Sequence, residues 1–260
     1  MKSILFILAA VISNSIVASD QLNTLEISKI EGGVYLHTSY RNIEGFGMVD
    51  SHGIIVVDNN NVYVIDTPWS EADTQLLLQW VEKEGFTLKA SLSTHSHDDR
   101  AAGIGLMNSN SIPSYASKLT NQFLHDSGKP VASKTFNSNT FSLLEGRIEV
   151  FYPGPGHTID NVVVWLPEKK ILFAGCLVRS LGWNNLGNIL DADIENWASS
   201  VRRIKSEYPD ISMVIPGHGE IGDDKILDHT IELAERAFSK LTQQTAGDGV
   251  DLGFLKDLSK

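Results

Sequence analysis

Leu88-Lys89-Ala90-Ser91-Leu92-Ser93-Thr94-His95-Ser96-His97-Asp98-Asp99-Arg100 reads as an apolar strand, ending at Thr94, that runs into a polar cluster. Two imidazoles and a carboxylate stand at alternate positions, and both groups are usual side-chain ligands for zinc. In an extended segment His95, His97 and Asp99 point to one side, because side chains alternate with a period of two. On a helix they splay around the axis. Taken alone, the cluster is equally well a solvated polar loop, so its surroundings have to decide.

Upstream, residues 53–57 and 62–65 are apolar runs flanking Asp58-Asn59-Asn60-Asn61, a hairpin with turn residues between its arms. A helix follows, with Ser70 as its N-cap and Leu76, Leu77, Trp80 and Val81 as an apolar stripe. Then comes the strand that ends at the histidines. Downstream the same grammar returns. Residues 161–166 and 171–174 flank Pro167-Glu168-Lys169-Lys170, and Asp193 can cap a helix carrying Trp197, Val201 and Ile204. A strand over 211–215 runs into Pro216-Gly217-His218-Gly219.

Both halves are therefore hairpin, helix, strand and polar loop. Two such units facing each other bury their sheets together, with helices outside and the loops at one edge. That is an α/β four-layered αββα sandwich. The alternative is two α/β segments whose patterns coincide by chance. Opening strands over 25–30 and 34–37, a helix within 115–128, a strand over 148–151 and a closing amphipathic helix over 225–241 fit around this frame.

The chain has 260 residues, 42% of them hydrophobic, and no low-complexity linker, so one domain over 19–243 is expected. Met1-Lys2 and the short apolar run after it have the form of a secretory signal over 1–18, cleaved after Ala18 or Ser19. A retained N-terminal anchor is the other reading. The mature protein is expected in a bacterial periplasm, with no stable membrane insertion. Residues 244–260 read as a flexible C-terminal tail, although Leu252, Phe254, Leu255 and Leu258 could dock it.

The formal charge of −11 becomes −12 when Lys2 leaves with the signal. Such acidity argues against nucleic-acid binding, which needs a basic face. It also means that an anionic substrate must be drawn in by a local cation or metal. The single cysteine, Cys176, cannot form an internal disulfide. It is either a buried inert thiol or a thiolate held by a metal.

Further candidate ligands end strands or sit in Gly-rich turns. His157 follows Tyr152-Pro153-Gly154-Pro155-Gly156, Cys176 follows Gly175 at the end of the second hairpin, and His218 lies in the Pro-Gly-His-Gly turn. Each alone could be a turn histidine or a buried thiol. Together they fall on the one loop edge that the duplicated architecture predicts. Six ligands exceed one tetrahedral zinc and suit two ions with open positions. His95, His97 and His157 make a three-imidazole set. Asp99, Cys176 and His218 make a mixed set whose soft thiolate favours zinc over magnesium or calcium.

Over about residues 25–241 the chain resembles the metallo-β-lactamases of subclass B1. The resemblance rests on His95-Ser96-His97-Asp98-Asp99, Pro155-Gly156-His157-Thr158, Gly175-Cys176-Leu177-Val178-Arg179, Gly187-Asn188-Ile189-Leu190-Asp191 and Pro216-Gly217-His218-Gly219. His95 and Cys176 together indicate B1. Arg100 stands where thioesterases of the glyoxalase II type carry a histidine.

The resemblance implies a β-lactamase with two Zn2+ ions that opens the amide of penicillins, cephalosporins and carbapenems by attack of a zinc-bound hydroxide. The His95/His97/His157 zinc would polarise the carbonyl. The Asp99/Cys176/His218 zinc would bind the substrate carboxylate and stabilise the leaving nitrogen, with Asp99 also orienting the hydroxide. Arg179 matches a family lysine that pairs with the substrate carboxylate. It keeps the charge with different reach, and its alternative is a surface arginine. Asn188 matches a donor to the developing oxyanion, and ordinary loop chemistry is its alternative.

Residues 41–49 are expected to form a mobile flap with Phe46 over apolar substituents and Trp183 opposite, unless both rings are core. Asp66 either orients a ligand histidine or caps the next helix, and Asp160 has the same two readings. His37, His52, His125 and His229 are taken as structural or solvated. The expected partners are small-molecule β-lactams, with the protein a monomer. The competing functions are a related metallo-hydrolase of lactones or thioesters, and an inactive zinc-binding protein of the same fold.

Overall fold

Alternate residues of one strand serve two different cores. In β3 (Gly47–Asp58), Ile54 and Val56 join a central apolar cluster while Ile55 joins an outer one with Leu77 and Val81 of α1 (Glu71–Lys83). In β10 (Val163–Leu166), Val164 and Leu166 enter the same central cluster, whereas Val163 and Trp165 face outward. There they meet Trp197, Val201 and Ile204 of α5 (Ile194–Glu207) and Leu227 of α6 (Lys225–Gly247). Sheets covered on both faces have near-continuous apolar strands, which is how these strands read. Helix, sheet, sheet and helix stack as an αββα sandwich.

The computed structural model describes residues 25–247. One sheet has seven strands in chain order: β1 (Leu25–Glu31), β2 (Val34–Ile43), β3, β4 (Asn61–Ile65), β5 (Thr87–Leu92), β6 (Ser114–Ser117) and β7 (Lys134–Phe136). The second has five, ordered β12 (Met213–Pro216), β11 (Ile171–Gly175), β10, β9 (Ile148–Phe151) and β8 (Thr140–Leu144). Between strands lie α2 (Asp98–Ala101), α3 (Ile104–Ser109) and α4 (Lys118–Asp126). The duplicated grammar is visible in the pairing. The β3–β4 hairpin leads through α1 to β5, parallel to β4, and the β10–β11 hairpin leads through α5 to β12, parallel to β11.

The caps follow the side chains. Ser70 accepts from the Asp73 amide at the start of α1, and Asp193 accepts from Asn196 at the start of α5. Leu76 departs from the expected stripe and is exposed, because Leu77 and Val81 already fill the contact with the sheet. The expected flap over 41–49 is a β-hairpin rather than a loop. β2 and β3 stay paired from Val34↔Val56 out to Ile43↔Gly47, leaving only Glu44-Gly45-Phe46 as the turn. The long register carries the arms outward together. The closing helix runs to Gly247, past residue 243, where the domain was expected to end. No glycine or proline interrupts it earlier. The expected signal over 1–18 lies outside the described residues, as does the tail beyond 247. Among the described residues no helix is long and apolar enough to cross a membrane.

Candidate metal centre

Strand β5 stops at Leu92, and His95 and His97 sit in an irregular bend while Asp99 lies in the first turn of α2. The simple alternation expected of an extended segment therefore does not hold. The helical turn brings Asp99 to Cys176 and His218 while its carboxylate stays within 4.8 Å of a His95 nitrogen, so one short stretch feeds two adjoining donor sets that meet at His95 and Asp99.

The ring centroids of His95, His97 and His157 lie 4.8, 5.0 and 5.1 Å apart, with the rings edge to face. One nitrogen of each falls within 4.8 Å of the others. His157 Nε2 and His97 Nδ1 are 3.3 Å apart, and buried His95 Nε2 has no hydrogen-bond partner. Burial pushes the His95 and His157 imidazoles well below their ordinary pKa, with the neighbouring histidines adding to the effect. They are held neutral, the form that binds a metal.

Beside them a second set converges. Cys176 Sγ is 3.4 Å from Asp99 Oδ2 and 3.3 Å from His218 Nε2, and His218 Nε2 is 3.2 Å from Asp99 Oδ2. Burial pushes the Cys176 thiol up. Burial alone would also raise Asp99, but Arg100 and His218 outweigh it and hold the carboxyl well below the usual range. A bound divalent cation would oppose the burial of the thiol and favour the thiolate. Three imidazoles next to a carboxylate, a thiol and a fourth imidazole are a donor chemistry that fits zinc in both sets.

Close packing explains the glycines here. A Cβ on Gly217 would stand 2.6 Å from Arg100 Nη2 and 2.8 Å from Cys176 Sγ, so the backbone can pass this near the sulfur only as glycine.

Arg100, read in the sequence only as a departure from histidine, is the hub beneath the second set. It is fully buried. Its Nη2 is 2.9 Å from Asp99 Oδ2 and donates to Gly217 O at 2.9 Å, and its Nη1 is 3.4 Å from Asp66 Oδ2 and donates to His52 O. Asp66 neither orients a ligand histidine nor caps α1. Its carboxylate accepts from Thr94 N at 2.7 Å and from Thr94 Oγ1 at 2.8 Å, tying down the bend that carries His95. Burial raises this carboxyl to about 7, against the pull of Arg100 and of the Thr94 donors. Asp160 is buried beside Thr120 and Thr158, with its carboxyl raised by that burial. A residue quoted in the sequence only as the end of a motif, and given no role there, touches a candidate ligand directly: Asp191 Oδ2 lies 2.9 Å from His97 Nε2. Only the folded chain brings these two together.

Above the donor sets opens a groove of about 510 Å3, whose lining includes His97, Asp99, His157 and His218. Arg179 lies in its wall, buried rather than on the surface, with its guanidinium 4.3 Å from the centroid of the Trp183 ring. Trp183 is half-buried and also lines the groove, so it is not a core residue. Phe46 stands at the hairpin tip, 56% exposed, and is likewise a groove residue. Asn188 is exposed on the same lining, its Oδ1 accepting from Leu190 N at 3.1 Å. Among the four remaining histidines, His37 and His52 are buried, His229 is half-buried and His125 is exposed.

Residues 47–218, which span both donor sets, match the metallo-β-lactamase superfamily. A metallo-β-lactamase type 2 of Pseudomonas aeruginosa is 44% identical over 231 residues, covering 88% of this chain and 93% of that protein. This chain belongs to the metallo-β-lactamases, subclass B1. The crystal structure of the DIM-1 metallo-β-lactamase exposed to ceftazidime superposes with a TM-score of 0.82 at 49% identity, covering 84% of this chain and all of that one. The FIM-1 metallo-β-lactamase of Pseudomonas aeruginosa, solved in a mono-zinc form, gives a TM-score of 0.77 at 33% identity over 82% of this chain and 96% of that one. This metallo-β-lactamase is therefore a metal-dependent enzyme that hydrolyses β-lactams.

Proposed function

We propose that this metallo-β-lactamase is a secreted, periplasmic enzyme that uses two zinc ions to hydrolyse penicillins, cephalosporins and carbapenems. The observation that carries this reading is the pair of adjoining donor sets on the floor of one groove with a buried arginine in its wall. The mono-zinc form of FIM-1 supports zinc as the metal, and the ceftazidime exposure of DIM-1 supports a cephalosporin as substrate. His95, His97 and His157 would hold one ion, and Asp99, Cys176 and His218 the other. Zinc, when bound, supplies Lewis acidity and makes hydroxide available near neutral pH.

The chain's own groups do the positioning. Arg179 meets the substrate carboxylate, its guanidinium able to donate two parallel hydrogen bonds to that group. Asp99, ionised at neutral pH, accepts a hydrogen bond from the attacking water and sets its direction. The Asn188 amide keeps its Nδ2 donors for the oxygen that gains charge as the carbonyl is attacked. Phe46 and Trp183 cover apolar substituents and narrow the access of water.

Two substitutions test these roles. Asn188→Ala is expected to lower turnover by less than about tenfold, below the usual cost of a lost oxyanion donor, because the metal carries most of that charge. A loss above roughly a hundredfold would show that the amide is essential. Phe46→Ala is expected to raise KM for substrates with bulky apolar substituents and leave kcat nearly unchanged, since it removes contact made equally in ground and transition states. Unchanged KM across such substrates would remove the covering role.

The deciding experiment is hydrolysis of a penicillin, a cephalosporin, a carbapenem and a monobactam by the mature protein, followed at the β-lactam absorbance. Turnover of the first three and poor turnover of the monobactam is the expected result. No turnover of any, with metal bound, would defeat the reading.

A further inference from the structure

The Asp99/Cys176/His218 set is assembled from both halves of the fold. Asp99 comes from α2 in the first, while Cys176 and His218 follow β11 and β12 in the second. Donor atoms must be held to within about half an ångström for a tight metal site, so something has to fix the His218 turn against the first half. The outer end of β3 does this.

His52 N donates to Gly217 O at 2.9 Å, and His218 Nδ1 faces the Asp50 carbonyl. That contact places the proton on Nδ1 and turns Nε2 toward the donor set. Two side chains then close around Gly219. The Asp50 carboxylate accepts from Gly219 N at 2.7 Å, and His52 Nε2 lies 2.9 Å from Gly219 O and 3.0 Å from Asp50 Oδ2. With acceptors on both sides, His52 Nε2 carries the proton, and its Nδ1 accepts from the Thr38 hydroxyl at 3.0 Å. Gly219 is itself closely packed. Its φ of 79° is left-handed, and a Cβ there would lie 2.9 Å from both Ser180 Cβ and Trp183 Nε1.

We propose that Asp50 and His52 are positioning residues that clamp the His218 turn and set the metal affinity of the Asp99/Cys176/His218 set, independently of the three-histidine set. This inference rests on the two-set metal reading given above. Asp50→Ala removes the carboxylate but leaves the β3 backbone contacts to Gly217 and His218, so the fold stays and the aim of His218 loosens.

The test is a Co2+ titration of the metal-free full-length mature protein, wild type and Asp50→Ala, against a competing chelator. Thiolate-to-cobalt absorption reports the cysteine-containing set, and the visible bands report the histidine set. The expected result is a loss of about 10–100-fold in affinity at the thiolate-reporting set, the range for lost outer hydrogen bonds to a ligand. The other equivalent should stay within about threefold, well short of that range. Equal weakening of both, or no change at the thiolate band, overturns the clamp. If Asp50→Ala does not fold, the near-isosteric Asp50→Leu decides. It offers no acceptor to either Gly219 N or His52 Nε2, which both meet Asp50 Oδ2 in the wild type, so an unchanged second affinity again overturns the proposal. A wild-type chain taking up a single equivalent without thiolate absorption would instead defeat the two-set reading itself.

Discussion

Replacing Arg100 with alanine is expected to destabilise the folded protein by about 3–5 kcal/mol, the usual effect of removing one partner from a buried ionic cluster. The guanidinium lies within ion-pair distance of two buried carboxylates, Asp99 and Asp66, and donates to the carbonyls of His52 and Gly217. Without it, two acids and two carbonyls are left in a space closed to water. They must protonate, admit solvent or move apart. Any of these outcomes also disturbs Asp99 and the backbone that carries His218, so metal binding at the mixed set should fall with stability. Denaturant unfolding of the metal-free variant measures the first effect. A change below about 1 kcal/mol, typical of an exposed pair, would show that solvent already screens the cluster. Arg100→Lys should rescue only part of the loss, because one ammonium cannot reproduce a planar fork aimed at four acceptors.

The largest effect on activity should come from removing the metal. Exhaustive chelation of the mature enzyme is expected to reduce β-lactam turnover by more than about a thousandfold, since water coordinated to zinc has a pKa near 7 against about 15.7 in bulk. No serine or thiolate nucleophile takes its place in the proposed chemistry: Cys176 is buried, with its thiol pushed up. Adding zinc back should restore turnover, and calcium or magnesium should not, because a thiolate and four imidazoles disfavour hard cations. Turnover that survives chelation, in protein shown by elemental analysis to be free of metal, would overturn the metal mechanism.

Much of the architecture is legible along the chain because it is written in short-range terms. Turn residues at 58–61 and 167–170 mark both hairpins, Ser70 and Asp193 mark both helix starts, and the apolar runs identify strands buried on two faces. The six candidate ligands stand out for a related reason: His95, His97 and Asp99 form an alternating polar run after an apolar strand, and His157, Cys176 and His218 adjoin Gly- or Pro-bearing turns. What stays hidden is carried by residues of ordinary local appearance. Asp66 could as well cap a helix, Asp191 lies in a loop two residues before a true cap, and His52 looks like any strand histidine. Their partners, Thr94, His97 and Gly219, are 28, 94 and 167 positions away along the chain.

The chain by itself thus determined the two hairpin–helix–strand units, the αββα plan and the six candidate donor residues, since periodicity, capping and ligand chemistry are properties of neighbouring residues. The tertiary structure alone decided that α2 begins at Asp98 and turns Asp99 out of line with the histidines. It also decided that Arg100 lies beneath the metal centre and that β3 grips the turn carrying His218. These depend on how two halves dock and on which charges their closure removes from water, and no local pattern encodes either.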